Sequence, residues 1–178
     1  MSIVEFSLIT YLVLYAKEIL LTTSVFGGIL LATAEGAGAL GKPFFGFLSD
    51  KAFSGMRKSP FLLLGIITIL CCIVTILMPK ETPLLAFGFL FAIFGFTSIG
   101  WGGLLLTLVG EFGGKENAAT ATGFSAMVAY LGSTIGPPIF GFIIDLTNSY
   151  FWGWSFLTIC ATLGTVLIGL IREERRRA

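Results

Sequence analysis

Several residue types on which many enzymes depend are absent or scarce in this sequence. The 178 residues include no histidine, so histidine metal sites, a Ser-His-Asp triad and a histidine proton relay are excluded. The three cysteines, Cys71, Cys72 and Cys160, lie inside apolar runs without the spacing of metal ligands, and we interpret them as small core residues. Because no nucleophile–base pair is visible either, the sequence predicts neither an enzyme nor a bound metal or cofactor.

Charged residues are also few. They make up 12% of the chain, against about 25% in soluble domains, while 56% of the residues are hydrophobic. A water-soluble globule is therefore not expected, and the lipid bilayer is the expected partner. The net charge of +1 offers no basis for binding nucleic acid. The 23 glycines, set in long apolar runs, are typical of helices that pack closely in lipid.

Long apolar runs define the predicted fold. Crossing the hydrocarbon core takes about 20 apolar residues, and five runs are long enough, at about 20–49, 59–79, 82–112, 117–145 and 151–171. A sixth apolar run, Ile3–Ala16 in a helix predicted at about 3–17, would rise only about 21 Å, which is too short to cross. We therefore predict an all-α membrane protein in a single domain, with six membrane helices of which the first is partial.

The sequence also contains an internal repeat. Pro43-Phe44-Phe45-Gly46-Phe47-Leu48-Ser49-Asp50 is echoed 95 positions later by Pro138-Ile139-Phe140-Gly141-Phe142-Ile143-Ile144-Asp145. Three helices separate the two copies, so we predict two three-helix repeats of inverted topology, a pattern known from secondary transporters. Chance similarity between two Gly/Phe-rich helix ends is the alternative. The same offset would start the first helix about a dozen residues before Met1, so we expect that helix to be truncated.

The basic residues predict the orientation in the membrane. Nine of them fall on one side, namely Lys42, Lys51, Arg57, Lys58, Lys115, Arg172, Arg175, Arg176 and Arg177, and two on the other, Lys17 and Lys80. The positive-inside rule then predicts a multi-pass protein of the plasma (inner) membrane with a cytoplasmic C-terminus. Tyr150, Phe151, Trp152 and Trp154 would form an aromatic belt at the outer face.

A polar hairpin at 41–58 separates two long apolar runs. Its order, Gly-x-x-x-Asp-Lys at 46–51 followed by Gly-x-Arg-Lys at 55–58, resembles the signature loop of the major facilitator superfamily of transporters. Gly136-Pro137-Pro138 with Phe140-Gly141 is also typical of that family. The resemblance covers the whole chain, as the C-terminal six-helix half of a twelve-helix transporter.

The resemblance implies a role for this hairpin. In the family the loop holds one conformation of the alternating cycle, which would make a latch of Gly46, Asp50, Lys51, Arg57 and Lys58. We expect Gly46 to let two backbones approach, and Asp50 to accept hydrogen bonds from a neighbouring helix start. The segment between Asp50 and the basic pair is about two residues longer than the tightest family form, and an ordinary basic turn is the alternative reading.

Glu35 is the main candidate for chemistry inside the membrane. It stands fifteen residues before Asp50, about 22 Å along a helix, and an acid at that depth is costly enough to indicate function. It could bind a coupling proton, or anchor a cationic or hydroxyl-rich solute, or simply pair with a polar group of a missing half. Glu5 is expected near the membrane interface and Glu111 beside local bases. With no lysine or arginine expected in the membrane interior, organic anions are mildly disfavoured as solutes.

Glycine and proline mark further features. The glycines around Trp101 weaken the fourth helix, so we predict a gating bend with Trp101 lining the path, or else packing against lipid. Pro137 and Pro138 predict a bend in the fifth helix. The pair Gly132 and Gly136 predicts helix packing. The G-x-G-x-x-G match at 36–41 lies inside a membrane helix and does not predict nucleotide binding.

These features lead to two hypotheses for function. The first is half of a secondary active transporter that moves a small solute by alternating access, with a proton as a candidate coupling ion, in symport or antiport. It would need an N-terminal six-helix half or a second copy of the chain. The second is a non-transporting membrane fragment or an assembly or binding subunit.

Overall fold

The computed structural model describes residues 1–53 and 56–171, apart from the side chain of Lys115. Gly55 of the loop motif, the side chain of Lys115 and the basic tail residues Arg172, Arg175, Arg176 and Arg177 lie outside the described residues. The helices are α1 Ser2–Glu18, α2 Ser24–Ala52, α3 Lys58–Leu77, α4 Leu84–Ser98, α5 Trp101–Thr147 and α6 Tyr150–Leu170. Within the described ranges every regular element is a helix, as the sequence predicts.

Helix α5 contains a reversal of the chain. Gly114 has φ 65° and ψ −178°, a conformation outside the helical region that glycine adopts without strain. Five helices are then long and apolar enough to cross a membrane: Ser24–Ala52, Lys58–Leu77, Leu84–Gly114, Glu116–Thr147 and Tyr150–Leu170. We call Leu84–Gly114 the fourth span and Glu116–Thr147 the fifth span. The fourth span is interrupted once, by a turn at residues 99 and 100.

The predicted hairpin at 41–58 is shorter than expected. Helix α2 continues to Ala52 with Pro43 inside it, so only residues 53–57 connect α2 to α3. In lipid a backbone group without a partner costs several kcal/mol, whereas a single proline removes only one donor. The helix therefore persists through this stretch, and Lys42 belongs to its interior rather than to a loop.

The packing of the helices follows the internal repeat. Helix α1 packs on the fifth span, α2 on α4 of the fourth span, and α3 on α6. In the repeat, α1 corresponds to the fourth span, α2 to the fifth span and α3 to α6. Exchanging the corresponding helices converts the first two contacts into each other and leaves the contact between α3 and α6 unchanged. A Cβ at Gly41 would collide with the carbonyl oxygen of Phe96, and one at the repeat position Gly136 would lie 3.0 Å from Cα of Ile3. The two predicted three-helix repeats are thus present.

The core lies between the repeats and is strongly aromatic. Trp154 is buried and contacts four rings, those of Tyr15, Phe91, Phe94 and Phe140. The predicted aromatic belt is therefore wrong for Tyr150 and Trp154, which are buried, while Phe151 and Trp152 are exposed. Burial of a large apolar ring among other rings is favourable enough to draw both into the core. Cys71 and Cys72 are buried as predicted, and Cys160 is half-buried.

Candidate functional site

A polar contact joins α1 to the middle of the fourth span. Trp101 follows the turn at residues 99 and 100, and its indole Nε1 donates a hydrogen bond to Oε2 of Glu5 at 2.9 Å. The prediction that Glu5 lies near the membrane interface is therefore wrong, since Trp101 stands near the middle of Leu84–Gly114. The sequence suggested an interface position because an apolar run begins directly after Glu5. It did not reveal at which depth α1 packs against the fourth span.

Trp101 is less open than the sequence suggested. Its side chain is 8% exposed, and the exposed part lines a groove together with Phe61, Phe124 and Ile168. Gly103, two residues after Trp101, serves helix packing, because a Cβ there would lie 2.9 Å from the carbonyl oxygen of Lys42. The predicted weakening of the helix is seen in the turn before Trp101. The gating role remains a prediction.

Helix α2 presents two charged side chains opposite Glu5. Glu35 and Lys42 are seven residues apart, which places them on one helix face about 10 Å apart, and both are exposed. The positive charge of Lys42 attracts the carboxylate of Glu5, and the negative charge of Glu35 repels it. We call Glu5, Glu35, Lys42 and Trp101 the membrane cluster.

Lys42 overturns one expectation. It lies ten residues before the end of α2 at Ala52, about 15 Å along the helix, so a base does occupy the interior of a span. Within the described part of the chain, its Nζ makes no ion pair within 4.0 Å. The argument against organic anions as solutes therefore does not hold.

A second cluster, which we call the Arg57 cluster, joins the end of α2 to the end of the fourth span. The guanidinium of Arg57 contacts Oδ1 of Asp50 at 2.6 Å through Nη1 and Oε1 of Glu111 at 2.8 Å through Nη2. Burial by itself would lower the pKa of Arg57, but the hydrogen bonds to Glu111 and Asp50 outweigh it and raise the pKa above its ordinary value. Asp50 thus pairs with Arg57 instead of the expected helix start. Glu111 does pair with a base, as expected, but this base is Arg57, 54 positions earlier in the sequence.

The other residues of the predicted latch make separate contacts. Lys51 places Nζ 4.7 Å from the ring centre of Phe47, and Lys58 donates to the carbonyl oxygen of Ile171 at 2.8 Å. A Cβ at Gly46 would have nothing within 4 Å in the described chain. The close backbone approach expected at Gly46 is made instead by Gly41, five residues earlier on the same helix.

The opposite end of the bundle carries a contact that sequence reasoning missed. The hydroxyl of Tyr150 donates to Oε2 of Glu18 at 2.9 Å, which joins the start of α6 to the end of α1. The negative charge of Asp145 also acts electrostatically on the hydroxyl group of Tyr150. The repeat could have revealed this site, since Asp145 stands 95 positions after Asp50 of the Arg57 cluster.

The predicted features of the fifth span have different outcomes. A Cβ at Gly132 would lie 3.2 Å from Oγ of Ser2, so this glycine and Gly136 both pack against α1, and the predicted helix packing is confirmed. The backbone stays helical across Pro137 and Pro138, and Gly114 is the position in α5 with non-helical angles. The bend at the prolines remains a prediction.

Comparison with known proteins agrees with this architecture. The family model of the Major Facilitator Superfamily matches residues 1–178. A benzoate transport protein of Acinetobacter baylyi (strain ATCC 33305 / BD413 / ADP1) is 26% identical over 147 residues, which cover 83% of this chain and 30% of that relative. The chain therefore spans less than a third of the relative's length over the matched region. Because the family model covers the whole chain, the chain belongs to the major facilitator superfamily.

Proposed function

We propose that this chain is one six-helix half of a secondary active transporter that moves a small solute by alternating access and couples the movement to protons. The observation that carries the proposal is the membrane cluster. Three ionisable side chains lie at the depth of the membrane interior, Glu35 and Lys42 on α2 and Glu5 on α1, where each costs about 2.5–3.5 kcal/mol on insertion scales. Groups that expensive are retained where they line the path of a solute or a proton.

The exposed faces of the bundle support a second half. The fifth span, α2 and α6 are the least covered of the five spans. Among the described residues, only α2 carries charged side chains in the interior part of its exposed face, namely Glu35 and Lys42. A path between two halves would run along that face, so the partner is an N-terminal six-helix half or a second copy of this chain.

The two candidate roles within the membrane cluster follow from exposure. Glu35 is exposed on α2, so it can exchange a proton with a water-filled path. Trp101 is held by Glu5, and the stem of Lys42 runs beside the next residue, Gly102, so Trp101 would form part of the wall. The Arg57 cluster, with Lys51 and Lys58 beside it, would act as the latch that favours one conformation, and Gly46, Pro137 and Pro138 would provide a close approach to the partner half and a bend.

Orientation is proposed from the described bases. Lys51, Arg57 and Lys58 lie at the end where α2 meets α3, whereas Lys17 and Lys80 lie at the other end. The positive-inside rule makes the first end cytoplasmic, in a plasma (inner) membrane. Lys58 binds Ile171 at that end, which supports a cytoplasmic C-terminus.

One substitution tests coupling in the complete transporter, formed by this chain and its partner half in proteoliposomes. Benzoate is the first solute to try, because the relative is a benzoate transport protein. Glu35→Gln is expected to abolish proton-driven uptake while leaving the protein folded, since the amide cannot take up a proton. Glu81→Gln, in the loop between α3 and α4, removes the same charge outside the spans and is the control. Uptake at the wild-type rate in Glu35→Gln would disprove the assigned role.

The alternative hypothesis is a non-transporting fragment or an assembly or binding subunit. Co-expression with a partner half separates the two, because uptake that depends on both chains supports transport, and a stable complex without uptake of any solute supports the alternative.

A further inference from the structure

Lys42 raises a question that the proposed function does not answer. Its chemistry differs from that of the acids around it, because an ammonium group offers three hydrogen-bond donors and attracts anions. Its side chain is exposed on α2, and Cε would lie 3.9 Å from a Cβ at Gly102, so its stem runs beside the residue that follows Trp101. The ammonium group therefore stands on the face that borders the proposed path.

The charge balance around Lys42 depends on Glu35. Among the described residues, the charged groups that act on Glu5 are Lys42, Glu35 and the α-amino group of Met1. Glu5 is fixed by the indole of Trp101, whereas Glu35 is exposed and shares the helix face of Lys42. With all four groups ionised, two cations balance two carboxylates, and a further anion is only weakly attracted. A proton on Glu35 removes one of the negative charges and leaves Lys42 able to bind an anion.

We infer that the solute is a small organic anion whose carboxylate is bound by Lys42, and that a proton taken up by Glu35 travels with it in symport. This inference rests on the proposed transport function and names its solute class and coupling direction. One proton from the outer solution binds the Glu35 carboxylate, one monovalent anion binds the Lys42 ammonium, and both are released on the other side. The cluster then carries no net charge across the membrane for each monovalent anion.

Binding to the complete transporter tests the solute class without requiring transport. Small carboxylates, beginning with benzoate, are compared with their primary amides, which keep the shape and lack the charge, by the shift that each causes in thermal unfolding of the purified protein. We expect a carboxylate to bind and its amide to bind at least about 10-fold more weakly, because a hydrogen bond between two charged groups is stronger than one to a neutral group.

Variants of Lys42 assign the effect to this side chain. Lys42→Gln is expected to weaken carboxylate binding on the order of 10-fold, while Lys42→Arg, which keeps the charge, retains part of it and guards against a loss caused by misfolding. Lys80→Gln removes a lysine outside the spans and should leave binding unchanged. Wild-type affinity in Lys42→Gln, amide binding as tight as carboxylate binding, or no carboxylate binding at all would each overturn the inference.

Proteoliposomes distinguish failure of this inference from failure of the proposed function. Electroneutral symport predicts that a proton gradient drives uptake of a monovalent carboxylate and that a membrane potential alone does not. Proton-driven uptake of neutral or cationic solutes, without carboxylates, would leave the transport proposal standing and overturn the anion assignment. Carboxylate binding that depends on Lys42, with no uptake of any solute, would support the binding site and contradict transport.

Discussion

The two repeats of this molecule share a packing scheme and differ in chemistry. We compare the first repeat (α1 to α3) with the second (the fourth span, the fifth span and α6). Gly41 and Gly136 stand 95 positions apart, and each faces the backbone of a helix in the other repeat. Phe45 and Phe140 are related by the same offset and both are buried. Close backbone approach and a buried ring are thus the common requirements of both repeats.

Among the residues that the structure describes, the charges of the membrane interior belong to the first repeat. Glu5, Glu35 and Lys42 all come from α1 and α2, and the positions 95 residues later are Gly100, Tyr130 and Pro137. Because every intramembrane charge is costly, a repeat that duplicates the scaffold has reason to carry the charges once. The difference teaches that packing in this fold is symmetric and that its proposed chemistry is not.

The two ends of the bundle show the same contrast. Arg57 binds Asp50 and Glu111 at one end, while Tyr150 binds Glu18 at the other. Tyr150 follows Arg57 by 93 positions, and Glu111 follows Glu18 by 93. Equivalent helix ends are therefore joined by charged pairs in one case and by a hydroxyl–carboxylate hydrogen bond in the other, and charge-assisted bonds with two partners are the stronger.

Removing the carboxylates of the Arg57 cluster is the change with the largest expected effect. The double variant Asp50→Asn, Glu111→Gln leaves a guanidinium that is only 6% exposed beside neutral amides. We expect a loss on the order of 3 kcal/mol in the free energy of unfolding, measured in mixed detergent micelles, because the buried guanidinium loses the charge of two hydrogen-bonded partners, although Asp50 itself is 60% exposed. Glu18→Gln at the other end, whose partner is the neutral Tyr150, should cost about 1 kcal/mol. Equal losses would remove the contrast between the ends.

Alanine at the glycines of α2 tests the shared packing, with a smaller effect. Gly41→Ala would drive a methyl group into the backbone at Phe96, so we expect a loss of about 1–3 kcal/mol in the free energy of unfolding. Gly28→Ala is the matched control on the same helix, and it should be neutral or slightly stabilising because the space there is open. Gly136→Ala, at 3.0 Å from Ile3, should fall between them. A destabilised Gly28→Ala with an unaffected Gly41→Ala would contradict this packing.

Removing the hydroxyl of Tyr150 is the change with the smallest expected effect, and it tests the contrast between the two ends of the bundle. Tyr150→Phe removes one hydrogen bond to Glu18 and keeps the ring, so a loss of about 1 kcal/mol in the free energy of unfolding is expected. Tyr130→Phe removes the same hydroxyl from a side chain that is 66% exposed and should have no effect. Combined with Glu18→Ala, which removes the acceptor, the Tyr150→Phe change should add little. Full additivity would show that the two groups do not interact.

Much of the fold could be predicted from residue pattern alone. Uncharged runs such as 59–79 must be helical in lipid because the backbone can satisfy its hydrogen bonds only within the segment. The helices found there and elsewhere agree with the predicted ones to within a few residues at most ends, α3 running from Lys58 to Leu77. The end of α2 was less predictable, because Lys42 and Pro43 look like loop residues locally while the helix continues to Ala52.

The candidate site was only partly predictable. Glu35 stood out because its depth in a span follows from counting residues along one helix. Glu5 did not, because its position depends on which level of the fourth span α1 faces, and its contact with Trp101 joins residues 96 positions apart. The exposure of Trp154 was misjudged for the same reason, since a tryptophan near a helix end fits both a membrane interface and a core.

The sequence by itself determined that this is an all-helical membrane protein, where its spans run, and that the chain consists of two three-helix repeats. Those properties depend on hydrophobic length and on residue types within single segments. Only the tertiary structure decided that Glu5, Glu35, Lys42 and Trp101 form one cluster and that Arg57 joins Asp50 to Glu111. Such groupings depend on the level and the rotation at which helices pack, and close approach at Gly41 and Gly136 sets both.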